Sequence, residues 1–225
     1  MIEHKKFKLA VVRNDVLGAM LELEAIKDWR SHNVGEVDLT LMEFVAKEGA
    51  LEIAQCMLTM EPKAHAIRSR FSTPLHAAVE AESLDMVKLL VTSGASLTDS
   101  TEYSGATALH EAVTTEDLEV LQFLIDYGAE IDTLDSVGRT PLHIAVKYGK
   151  ISVINTCLEA GASVNAQDST IFHTPLHEAC EIDSYEIVKV LLEAGADANS
   201  VNKKGELPSD LTDDKGIHKL LKENS

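Results

Sequence analysis

The sequence predicts an all-α solenoid of stacked helical repeats, and three observations carry that prediction. A tetrapeptide returns four times, as Thr73-Pro74-Leu75-His76, Thr107-Ala108-Leu109-His110, Thr140-Pro141-Leu142-His143 and Thr174-Pro175-Leu176-His177, at steps of 34, 33 and 34 residues. A fixed period of this size marks units that cannot bury their apolar faces alone and must stack. Each copy leads into a run of paired aliphatics that stops at Gly-Ala: Gly94-Ala95, Gly128-Ala129, Gly161-Ala162 and Gly195-Ala196. Finally, 45% hydrophobic content with only 4% aromatic residues suits helices packed through Leu, Val, Ile and Ala.

Taken in chain order, residues 1–34 come first. Leu9, Val11 and Val12, then Val16, Met20, Leu21, Leu23 and Ile26, fit two helices broken at Asn14-Asp15. Phe7 lies 33 residues before Thr40, so this segment reads as an N-terminal helical cap or a decayed repeat. Trp29, the single tryptophan, is expected to pack over its end, with an exposed binding anchor as the alternative. Six repeats follow, over 35–67, 68–101, 102–134, 135–168, 169–201 and 202–225. The first and last are degenerate (Thr40-Leu41-Met42-Glu43 and Leu207-Pro208-Ser209-Asp210), as expected where a terminal unit must face water.

Within a repeat, Thr caps the first amides and Pro sits at the first helical position, where it loses no hydrogen bond. The short apolar helix that results, such as His143-Ile144-Ala145-Val146, is followed by a turn and a longer second helix. In that helix Met86-Val87 with Leu89-Leu90, Val120-Leu121 with Phe123-Leu124, and Ile187-Val188 with Val190-Leu191-Leu192 form one stripe. Glycine then suits a left-handed C-terminal cap. About ten polar residues before the next Thr-Pro suggest a projecting hairpin.

These residues resemble ankyrin repeats. Gly138-Arg139-Thr140-Pro141-Leu142-His143-Ile144-Ala145 and Leu191-Leu192-Glu193-Ala194-Gly195-Ala196-Asp197-Ala198-Asn199 are close to the family pattern, and the resemblance covers residues 35–225. Departures are Ala108 for Pro, the weak Leu41-Met42-Glu43, and one extra residue in the hairpins before Thr107 and Thr174. The resemblance implies an ankyrin-repeat α-solenoid that binds a protein partner through its concave face and hairpin fingers, without catalysis. The histidine series is implied to be structural, bonding backbone between neighbouring units, and Asn165 and Asn199 to bond within hairpins. Asparagine hydroxylation at those two positions is the other reading.

Composition narrows the partner. A net charge of −17 disfavours nucleic acid and anionic membranes, which need Lys and Arg. Between positions 101 and 200, four basic residues (Arg139, Lys147, Lys150, Lys189) stand against 17 acidic ones. Solvation of an elongated surface explains such an excess, and so does steering of a basic partner. Cys56, Cys157 and Cys180 are far apart and fall on predicted helices, which reads as buried free thiols in a reducing compartment. The run Leu9 to Val12 is too short for a signal h-region, and no apolar stretch approaches a membrane span. A cytoplasmic monomer is expected.

No constellation points to chemistry. One histidine per repeat puts successive rings roughly 8–10 Å apart, whereas zinc needs its nitrogens at about 2 Å. His110-Glu111 and His177-Glu178 begin like a zinc-protease helix, but Thr114 and Glu181 stand where the second histidine belongs. Gly149-Lys150 is followed by Ile151, so a phosphate loop is also missing its hydroxyl. The expectation is therefore no enzyme, no cofactor and no metal. An activity housed in residues 1–34 is the contrary reading.

Carrying the family's contact positions over places finger tips at Ser69, Arg70 and Ser72; Tyr103, Ser104 and Ala106; Ser136, Val137 and Arg139; Ile171, Phe172 and His173; and Lys203, Lys204 and Glu206. Helix-end positions are Lys47 and Glu48, Glu80 and Ala81, Thr114 and Thr115, Lys147 and Tyr148, and Glu181 and Ile182. Tyr103, Tyr148, Phe172 and Ile182 are apolar or aromatic where polar residues are the rule, which suggests a contact strip edged by Arg70 and Arg139. Phe172, beside the extra residue, is the one most prone to tuck away. The binding set is thus Arg70, Tyr103, Arg139, Lys147, Tyr148, Phe172, Glu181 and Ile182. A regulatory or inhibitory binder masking a basic enzyme, of the pathogen-effector or immunity type, is the alternative function, and an effector would be delivered into a host cell.

Overall fold

The computed structural model describes residues 3–26, 29, 33–34, 39–69 and 71–224. Its helices come in pairs with the sequence period and divide into two compact units, 1–103 and 104–225.

In the first unit α1 (Glu3–Val12) packs on α2 (Val16–Ala25), and Asp15 caps α2 by accepting from Gly18 N at 2.9 Å. Two short strands, β1 (Asn33–Val34) and β2 (Leu39–Thr40), pair antiparallel with Asn33 opposite Thr40. The helical pairs α3 (Leu41–Lys47) with α4 (Leu51–Met60) and α5 (Pro74–Glu80) with α6 (Leu84–Thr92) follow. First helices pack on first helices and second on second, α3 on α5 and α4 on both α2 and α6. Phe7, Leu23, Leu41, Ile53, Met57, Leu75, Met86 and Leu90 fill the space between the rows. Trp29 is buried, so it is packing and not an exposed anchor. Leu9, Val12, Leu17 and Leu21 nevertheless lie exposed on α1 and α2.

In the second unit the first-helix row is α7 (Ala108–Thr115), α9 (Pro141–Lys147), α11 (Pro175–Glu181) and a 3-10 turn at Pro208–Leu211. The second-helix row is α8 (Leu118–Asp126), α10 (Ile151–Glu159), α12 (Tyr185–Glu193) and α13 (Lys215–Glu223). The aliphatic stripes are the buried ones: Val120, Leu121, Leu124, Ile154, Val188 and Leu191. Each fully buried Leu or Ile contributes about 2 kcal/mol against exposure. Thr140 and Thr174 cap their helices and Pro141 and Pro175 occupy the first helical position. After α8, the amide of Gly128 returns to Ile125 O and that of Ala129 to Leu124 O. That closure requires the left-handed φ of +102° that only glycine adopts freely.

Cys157 and Cys180 are buried, and burial pushes both thiols up to about 12, which keeps them inert. Cys56 is only half-buried, a departure from the expectation for all three. Among the described residues no helix is long and apolar enough to cross a membrane.

Candidate protein-binding surface

The recurring histidines are consumed by the scaffold. In His143 the ring Nδ1 accepts from Thr140 N at 3.2 Å, which leaves Nε2–H to donate to His173 O at 3.1 Å. His177 repeats this between Thr174 N and Glu206 O, and His110 between Thr107 N and Arg139 O. One nitrogen faces a donor and the other a carbonyl, so only the neutral tautomer fits. Burial accordingly holds all three rings below the ordinary imidazole value, although the carbonyl bond to each pulls the other way. Among the described residues no group of three or more His, Cys, Asp or Glu could hold a metal ion.

The fingers are built around a buried polar side chain that sequence reasoning passed over. Asp135 accepts from the amides of Val137 and Arg139 and from Arg139 Nε at 2.8 Å. Asp168 takes the amides of Thr170, Ile171 and His173, and Asn202 those of Lys204 and Glu206. Burial alone would raise the two aspartates. The bonds outweigh it and hold both below the usual carboxylate range. Successive fingers are then stitched by single backbone bonds, Ser136 N to Ser104 O, Ser169 N to Val137 O and Lys203 N to Ile171 O. The available signal was an Asp or Asn five or six residues before each capping position.

This construction sorts the expected contact residues. Tyr103 is 68% exposed and stacks on Phe71, ring centroids 5.4 Å apart. Tyr148 ends α9 at 59% exposure and Ile182 ends α11 at 41%. Lys147 and Glu181 are exposed on the last turns of the same two helices. Arg70 lies outside the described residues. Arg139 differs from expectation: its guanidinium is tied to Asp135 at 2.7 Å, so it braces its own finger. Among the tips, Ser69, Ala106 and His173 are buried, because the chain turns inward there to reach the next helix. The His173 ring stacks on His177 at 5.2 Å.

Phe172 does not tuck away. It is 42% exposed at φ +59°, two residues before the capping threonine, where the neighbouring fingers carry Gly105, Gly138 and Gly205 at φ +64° to +79°. At Gly138 an added Cβ would fall 2.6 Å from Ser169 N, so that finger has no room for a side chain. The extra residue before Thr174 lets the finger swing more widely around Asp168, and a phenylalanine occupies the left-handed slot at an expense of about 1–2 kcal/mol. The Lys203 ammonium lies 5.8 Å from its ring centroid.

Two further features were not foreseen. A cleft of ≈ 310 Å³ opens in the second unit over Ile144, walled by Ser104, Glu111, Thr114, Arg139 and Tyr148. On α11, which packs against α9, Glu178 has a buried Oε2 with no hydrogen-bond partner. Burial raises its carboxyl to about 7, with Lys147 and Arg139 pulling it down and Asp168 and Glu181 pushing it up. Asn165, by contrast, is a plain finger brace, donating to Gly195 O and accepting from Asp197 N.

The chain belongs to the ankyrin-repeat family: the model for ankyrin repeats (3 copies) matches residues 41–135, 98–168 and 132–202. Among solved structures it is similar to the ankyrin repeat domain of Bcl-3, described as a unique member of the IkappaB protein family. There the TM-score is 0.83 at 26% identity, over 96% of this chain and 97% of that one. The human ASB11 ankyrin repeat domain aligns with a TM-score of 0.79 at 22% identity over 97% of each chain, a likeness of fold. No curated protein matches the sequence. The ankyrin fold is generally a non-catalytic module of protein–protein interaction.

Proposed function

We propose that this ankyrin-repeat chain is a non-catalytic binding module that holds a protein partner through its finger tips and first-helix ends. Tyr103 of the first unit and Tyr148, Phe172 and Ile182 of the second supply apolar contacts, Lys147 and Glu181 supply polar ones, and Arg70 is a further charged contact. The observation that carries this is the exposure of all four apolar side chains on helix ends and fingers. Phe172 is held there against its backbone preference.

The acidic excess of positions 101–200 favours a basic partner and, as a second reading, occlusion of a basic enzyme. We further assign the partition into a helical cap (1–34) and six repeats with the boundaries given above, a monomeric state and a cytoplasmic location. The test is partner affinity of the Tyr103→Ala/Tyr148→Ala double variant. We expect affinity to drop at least tenfold with Tm unchanged. Intact affinity with a lowered Tm would show the strip to be packing. Affinity that collapses between low and high salt would identify the basic partner.

A further inference from the structure

The carboxyl of Glu178 has no structural purpose in its own repeat. Buried polar atoms without a partner are scarce, because each forfeits its hydration for nothing. Among the described residues only His65 Nδ1 and Glu178 Oε2 are in this state. Two cations lie within electrostatic reach of Glu178, yet neither closes on it: Arg139 is committed to Asp135, and Lys147 is exposed on α9. Asp168 of the finger and Glu181 of α11 add negative potential from the other sides.

The register places Glu178 one helix on from residues that line the cleft. Glu111, Ile144 and Glu178 each lie four residues past their capping threonine, on α7, α9 and α11, and these helices pack side by side. Glu111 and Ile144 line the cleft together with Tyr148. An apolar residue, an aromatic ring and the Glu111 carboxylate in the lining, with the Glu178 carboxyl on the adjacent helix, match the long stem and charged head of a basic side chain.

We propose that Glu178 is the charge-reading residue of this surface, a seat for an arginine or lysine side chain of the partner segment that lies along Ile144 and Tyr148. This rests on the binding reading above and names the chemistry of what is bound. A cation drawn to this carboxyl supplies the missing partner as the side chain turns to meet it, the carboxyl gives its proton to solvent, and binding strengthens as pH rises through neutrality.

The experiment follows the Glu178 side-chain carboxyl carbon by NMR across pH 5–9 in the full chain, with N-acetyl-arginine amide as the probe. N-acetyl-norleucine amide, of similar length and no charge, is the control. The arginine probe should lower the Glu178 midpoint by on the order of one pH unit, while norleucine leaves it in place. In Glu178→Gln, which removes no volume, arginine-amide affinity should fall about tenfold. An unmoved midpoint, an equal shift with norleucine, or unchanged affinity in the glutamine variant overturns the proposal. Loss of partner affinity in the tyrosine double variant would still stand in that case, so failure of this assignment is separable from failure of the binding surface.

Discussion

The first repeat of the amino-terminal unit and the histidine repeats of the carboxy-terminal unit solve one bonding problem with opposite chemistry. In α3 the third helical position is Glu43, whose carboxylate accepts from Thr40 N at 2.6 Å and from Ser69 N of the following finger at 2.8 Å. In α9 and α11 that position is histidine, which accepts from the capping threonine but donates to a carbonyl of the following finger. The tie between repeats is kept while its polarity is reversed. A repeat that looks eroded in sequence is therefore complete in structure, and its finger offers an amide where the others offer a carbonyl.

The largest expected effect comes from forcing one chemistry into the other's place. His143→Glu would set a carboxylate against His173 O in a buried site, and we expect a loss of about 4 kcal/mol, read as faster hydrogen exchange across 104–225. If exchange in that unit stays unchanged, the finger carbonyl is not a fixed partner and the comparison fails.

Glu43→Gln is the milder counterpart in the other unit. The amide group must turn a donor toward one of two backbone donors, at a cost of about 2 kcal/mol, measured by urea unfolding of residues 1–103 through exchange. Burial raises the Glu43 carboxyl despite the amides of Ser69 and Thr40. Glutamine therefore also removes a desolvated charge, and a neutral or stabilising result would show that desolvation outweighs the bonds.

Within the carboxy-terminal unit, titration separates histidine from carboxylate as well. His110, His143 and His177 have folded values below the unfolded value near 6.5. The stability they lend is present above that pH and is lost as pH falls through the folded values. Glu178 has the opposite sign, raised from 4.5 to about 7. It binds a proton more tightly in the folded chain, so its burden is absent below pH 4.5 and complete above 7. Replacing it with Gln should stabilise the second unit by about 2 kcal/mol at pH 8 and by nothing at pH 4. A gain of equal size at both pH values would refute the burial argument.

The smallest effect is at the finger where phenylalanine replaces glycine. Phe172→Gly relieves the left-handed backbone and should gain about 1 kcal/mol, while weakening partner affinity. Reduced stability on that substitution would mean the ring and Lys203 hold the finger together, removing Phe172 from the contact strip.

The period, the helix pairs, the threonine caps and the aliphatic stripes were all legible because they are local. Capping needs a side chain within one turn, and a stripe needs only the helical repeat. Glu111 and Glu178 were in view as fragments of a protease motif, and discarding that motif left them without a role. Their significance depends on neighbours 30 residues away that no short window contains. The inward turn of Ser69, Ala106 and His173 was hidden for the same reason, since it follows from the bonds of Ser69 N to Glu43, Ala106 N to Ser104 Oγ and His173 N to Asp168.

The sequence by itself determined the repeat, its register and the exposure of Tyr103 and Tyr148, since periodic burial follows from the order of apolar residues. Tertiary structure alone decided which charges are satisfied. Arg139 finds Asp135 and stays in its finger; Glu178 finds nothing, because stacking buries its oxygen without bringing a donor. Desolvation and pairing are properties of three-dimensional neighbours, and through them a surface of repeats acquires a preference for what it holds.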